Sequence, residues 1–151
     1  MVRKILLGLV VVFAAFQFIR PKKNKGEVHG PQSLAAAHPI PPAAEGILRK
    51  ACYDCHSNNT RYPWYANVQP LGWWLQHHVD EGKESLNFSE WKTYSREDMP
   101  HILEELREEV EEGHMPLPSY LKMHDEANIT ATEKKTLIQW ARTLESELRG
   151  S

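Results

Sequence analysis

Hydrophobic positions recur along this chain with the period of a helix in four places, and nowhere do they alternate with a period of two for long enough to make a strand. Glu45 to about His56 reads as the first helix, with Ile47 and Leu48 on its apolar face. Gln69 or Pro70 to Glu81 reads as the second, since proline is tolerated in a first turn and Gly82 serves as the stop. The third runs from Glu97 or Pro100 to Glu112, keeps Ile102, Leu103, Leu106 and Val110 at helical spacing, and ends at Gly113. The fourth opens on Thr130-Ala131-Thr132-Glu133, a capping box, and carries Leu137, Trp140, Ala141, Leu144 and Leu148 along one face. The predicted fold class is all-α, one small helical domain over residues 45–149.

Ahead of that domain the pattern changes twice. Ile5 to Ile19 is an apolar run interrupted only by Gln17, with Arg3 and Lys4 before it and Arg20, Lys22 and Lys23 after it, so residues 1–20 read as a membrane anchor or export signal. As a helix the run is about 22 Å long against a hydrocarbon core of ~30 Å, so a span needs snorkelling flanks or a thinned bilayer. A cleaved signal peptide is the alternative, but the Ala-x-Ala-like site at Ala35 to Ala37 lies far behind the run. The reading adopted is an uncleaved N-terminal transmembrane helix. Residues 21–44 then read as a Pro- and Ala-rich linker, extended enough to hold the domain off the membrane, with His29 and His38 solvated within it.

This division sharpens the charge. The whole chain carries a formal −2, yet residues 1–25 hold six Lys/Arg and no acid, which leaves 12 basic and 20 acidic residues and a formal −8 for the rest. So acidic a domain argues against nucleic acid as a partner and for a basic or neutral docking surface on redox partner proteins. Basic residues flank both ends of the apolar run, so the positive-inside rule does not set the topology.

The chemistry is concentrated in Cys52-Tyr53-Asp54-Cys55-His56. Cys-x-x-Cys-His is the pattern for covalent attachment of a c-type haem. On a helix the two thiols face one way, each able to add to a porphyrin vinyl group, and His56 follows as the proximal iron ligand. Attachment of that kind occurs outside the bacterial inner membrane, which sends the domain to the periplasm. A structural zinc site would need a fourth ligand, usually from a second Cys or His pair at short spacing, and none is present. A thioredoxin-like dithiol would need a βαβ setting, which a helical pattern does not supply.

The sixth iron position separates an electron carrier from a ligand-binding haem. Met115 stands in Gly113-His114-Met115-Pro116-Leu117-Pro118, a loop stiffened by two prolines, and offers a soft, neutral thioether that favours ferrous iron. His77 and His78 are its rivals, and Met123 reads as a packing residue. Tyr62, Trp64, Tyr65, Trp73, Trp74 and Trp91 are candidate porphyrin walls, with Trp64 taken as a cofactor contact and Arg61 as a propionate partner. The six acids between Glu104 and Glu112 read as a solvated helix face.

CYDCHSNNTRYPWY at 52–65, QHHVDEGKESLNFSEW at 76–91, MPLPSYLKMH at 115–124, LIQWA at 137–141 and QFIRP at 17–21 together resemble the small bacterial haem-binding domain family, cytochrome-c-like and usually preceded by a membrane segment. The resemblance implies covalent haem on Cys52 and Cys55, His56 as proximal ligand and Met115 as the distal one. The expected protein is a membrane-anchored monohaem c-type cytochrome. It holds one haem c and passes single electrons on the periplasmic face of the bacterial inner membrane. The iron carries the redox chemistry and no side chain does acid–base work, so it is not expected to be an enzyme. The alternatives are a haem sensor or peroxidase-like protein in which Met115 leaves the iron, and a zinc or thiol protein that never acquires haem.

Overall fold

A computed structural model of the protein describes residues 1–150, whose regular elements are all helices, with one isolated bridge between Lys25 and Asn59 and no strand. Eight α-helices follow in order: α1 Val2–Phe16, α2 Leu34–Ala37, α3 Pro42–Ala51, α4 Tyr53–His56, α5 Leu71–Ser85, α6 Asp98–Glu112, α7 Pro118–Leu121 and α8 Ala131–Arg149. Short 3₁₀ turns at Trp64–Asn67, Phe88–Thr93 and Asp125–Ala127 join them.

The expected all-α class holds, and the two best-signalled helices form as expected. Thr130 accepts from the Glu133 N–H while the Glu133 carboxylate accepts from the Thr130 N–H, a capping box that starts α8. Gly113 ends α6 at φ +80°, a left-handed cap that glycine adopts without a Cβ penalty. These two helices pack on each other, and Leu103 and Val110 meet Leu137, Trp140, Ala141 and Leu144 in the core.

Two expected boundaries differ. The helix expected over 45–56 bends at Cys52 (φ −123°) into α3 and α4, because α3 packs on α8 whereas α4 packs on α5. And α5 does not stop at Gly82 but continues to Ser85. A Cβ at position 82 would lie 3.0 Å from the Cys55 carbonyl oxygen and 3.1 Å from its Cβ, so this glycine admits α4 to the face of α5.

The segment 21–44 is not an extended spacer. Asn24 Nδ2 donates to Ser57 O (2.8 Å) and Thr60 Oγ1 (3.0 Å), the Gly26 N–H donates to Asn58 O, and the Ser89 hydroxyl donates to Val28 O (3.0 Å). Ser33 caps α2, whose Leu34 is 1% exposed and belongs to the main core. His29 is not free in solvent, since it bonds Glu45 Oε1 at 3.1 Å. The prolines do favour extended backbone, but the polar groups between them find partners on residues 57–60 and 87–92, and that overrides local stiffness. Leu34→Ala should therefore cost about 2–5 kcal/mol in denaturant unfolding, as for other buried leucines. A linker residue would cost nothing.

The N-terminal helix is shorter than its apolar run. It ends at Phe16, all its large apolar side chains are exposed, and among the described residues no helix is long and apolar enough to cross a membrane.

Candidate functional site

A cavity of about 700 Å³ opens between α4, α5, α6 and the loop into α7, and Cys52, Cys55, His56 and Met115 all line it. The cysteine segment is positioned by backbone bonds. The Cys52 N–H closes α3 on Leu48 O (2.9 Å), and the Cys52 carbonyl accepts from the Cys55 and His56 N–H groups at 3.2 and 2.9 Å. His56 Nδ1 lies 3.0 Å from Leu86 O. A carbonyl only accepts, so Nδ1 carries the proton and Nε2 is the nitrogen left with a lone pair. Burial holds the His56 imidazole below its ordinary pKa, opposed by the Leu86 and Gly82 carbonyls, which keeps it neutral.

The thiols are also neutral. Burial pushes Cys52 up to about 12, with the neighbouring Cys55 adding to the shift, and pushes Cys55 up to about 11, with the Asp54 charge adding. Redox-active dithiols have the opposite electrostatics, a pKa lowered toward neutrality, so this pair is unsuited to thiol exchange. Among the described residues, no group of three or more His, Cys, Asp or Glu is arranged to hold a bare metal ion.

Met115 arrives from the other side. The carbonyl of Glu109 in the last turn of α6 accepts from the His114 and Met115 N–H groups at 3.0 and 3.1 Å, fixing the loop just past the Gly113 cap. Of the rival histidines, His77 is exposed and paired with Glu81 (3.2 Å), whereas His78 lines the cavity, with Nδ1 donating to Trp74 O (2.9 Å) and Nε2 without a protein partner. Met123 is exposed and outside the cavity.

Two expected cofactor contacts are not brought in. Arg61 does not line the cavity: its Nε and Nη2 bind the Asp54 carboxylate at 3.1 and 2.9 Å, and its backbone N–H donates to the same group. Trp64 is 74% exposed and turned edge-on to Tyr65. None of the six aromatics expected as walls lines the cavity. Trp91 is in the core, Trp73 lies against Phe16, and Tyr65 pairs with His124. The walls are instead Leu86, Phe88, Ile102, Leu106, Val110, Leu117 and Leu137, with Tyr120 beside them. A helical face set for the core at period 3.6 also supplies such a wall, and the composition of aromatics does not reveal which face that is. Glu81, Glu105, Glu108 and Glu109 also line the cavity, so the acidic run on α6 is not wholly a solvated face.

Asp54 was not legible as a site residue. Buried under the cysteine turn, it accepts from Arg61 and from the Tyr120 hydroxyl (2.8 Å). Burial, then the Asp54 charge, pushes the Tyr120 phenol above its ordinary range, so it stays a donor. Its bond to Asp54 ties the loop after Met115 back to the cysteine segment, and the Tyr120 ring stacks on His124 at 4.1 Å within the loop. A carboxylate and its tyrosine partner this far apart in sequence leave no spacing signal.

Gly82 is the other missed residue. Alanine is favoured over glycine inside a helix by about 1 kcal/mol. Here the added Cβ meets the Cys55 backbone, which α4 cannot yield easily, and overpacking costs ~1–3 kcal/mol. Gly82→Ala is therefore expected to lower stability in denaturant titration, whereas a glycine inside a helix with open space beside it would gain from the change.

Two thiols, a neutral imidazole with a free nitrogen and a thioether around one largely aliphatic cavity make a donor set that fits a haem. In comparison with known proteins, residues 11–143 match the family model described as a haem-binding domain, and the chain belongs to that family. No curated protein and no solved structure matched it.

Proposed function

We propose that this member of the haem-binding domain family holds one haem c through thioethers from Cys52 and Cys55, with His56 Nε2 and Met115 as the axial ligands. In this reading it is a membrane-anchored electron-transfer cytochrome facing the periplasm, not an enzyme. The observation that carries the reading is the convergence of those four side chains on one cavity from two separate parts of the chain. When bound, the haem supplies a one-electron couple at its iron. The protein presents His56 in the ligating tautomer, keeps the thiols neutral, excludes water with an aliphatic wall and offers a soft sulfur from a pinned loop. The exposed apolar α1 supports anchoring, and the acidic remainder of the chain supports basic or neutral redox partners.

His78 favours one variant of this reading, with a second imidazole in place of Met115. The testing experiment is the visible spectrum of the full chain, produced with haem-maturation machinery and then denatured and reduced in alkaline pyridine. The expected result is a haem joined through two saturated vinyl groups. The spectrum of an unattached haem would overturn covalent binding, and the absence of any haem band would overturn the haem reading altogether.

A further inference from the structure

The apolar helix α1 is mounted on the domain without a spacer. Gln17 Nε2 donates to Gln69 O (3.1 Å) and the Gln69 N–H donates to Gln17 Oε1 (2.9 Å). Trp73 Nε1 donates to Ile19 O (2.7 Å), and its ring meets Phe16 edge-on at 5.3 Å. Lys23 Nζ then reaches Asn67 Oδ1 (2.9 Å), one turn from Trp64. Whatever surrounds α1 must therefore also meet the surface beside its C-terminal end.

That surface is apolar and uncovered. Phe18 and Trp64 are 88% and 74% exposed, and Ile19, Leu71 and Trp74 are exposed with them. Arg20, Lys22 and Lys23 border it and form no ion pair among the described residues. Exposed apolar side chains beside cations that hold no carboxylate are what an anionic, amphipathic partner would cover.

We propose that this face docks on the headgroup layer of an anionic phospholipid bilayer and seats the haem domain directly on the membrane. The proposal rests on α1 being membrane-inserted and adds what the domain does there. It also accounts for the short helix: fifteen residues span about 22 Å of a ~30 Å core. With the face docked, Phe18 and Ile19 sit below the headgroups and Trp64 and Trp74 take the interfacial positions where tryptophan is enriched, lengthening the apolar column at this end. The charge distribution agrees. Residues 1–25 hold six cations and no acid, while the acids of α6 lie on an element that packs on α8 and not on α5 or the 3₁₀ turn at Trp64. Anionic lipid therefore attracts the N-terminal segment and repels α6.

The test is hydroxyl-radical footprinting of the full-length holoprotein in vesicles of phosphatidylcholine alone and of phosphatidylcholine with roughly a third phosphatidylglycerol. Oxidation of Trp64 and Trp74 should be about threefold slower or more in the anionic vesicles. The Arg20→Glu/Lys22→Glu double variant should lose that difference. His101, exposed on α6, should react alike in every sample. Equal oxidation of Trp64 and Trp74 in both vesicle types, with the protein still floating with the lipid after a high-salt wash, would overturn docking and leave the anchor standing. Release of the protein by that wash would overturn the anchor reading, and docking with it.

Discussion

Replacing both Cys52 and Cys55 with alanine is expected to abolish haem staining on a denaturing gel. The reason is that only a covalent link survives loss of the fold. Non-covalent hold on a haem comes from the apolar wall of Leu86, Phe88, Ile102 and Leu106 and from His56, and denaturation disperses all of these together. Each single replacement leaves one thioether and should retain partial staining. The double variant should still bind haem natively through His56, because the Nδ1 bond to Leu86 O keeps the imidazole oriented without either thiol. Its haem should then pass completely into acidified organic solvent. Stain that persists in the double variant would refute attachment at these cysteines.

Met115→Ala is expected to open the iron to external ligands. Carbon monoxide should bind the ferrous protein readily, and the reduction potential should fall by about 100 mV or more, a modest part of the ~0.8 V over which axial ligands set haem potentials. The loop should survive the change, because its anchors are backbone bonds from residues 114 and 115 to Glu109 O and the glycine cap at 113, none of which uses the thioether. Met123→Ala, exposed and outside the cavity, should alter neither quantity. If Met115→Ala leaves spectrum and potential unchanged while His78→Ala shifts both, the second imidazole is the distal ligand. His77→Ala should be silent in either case, since that ring faces solvent and Glu81.

The part of this molecule determined by sequence alone is the part that local rules govern. A capping box and a left-handed glycine act within one turn, so the start of α8 at Thr130 and the end of α6 at Gly113 were readable without knowing any neighbour. Cys-x-x-Cys-His and the proline loop are likewise local patterns, and they named four of the side chains that line the cavity, Cys52, Cys55, His56 and Met115. What tertiary structure decided is which partner each element meets. Gly82 reads as a stop by composition, but it lies inside α5, at the point where the Cys55 backbone passes 3.0 Å from where a Cβ would be. Residues 21–44 read as a linker by proline content, but hydrogen bonds to residues 57–60 and the burial of Leu34 bind them to the domain. Arg61 and Trp64 stand next to the haem motif in sequence, yet one guanidinium was taken by Asp54 and the other ring turned outward. Sequence proximity carries no information about competition for a partner. That competition is settled by packing and by long-range hydrogen bonds, which exist only once the helices have assembled.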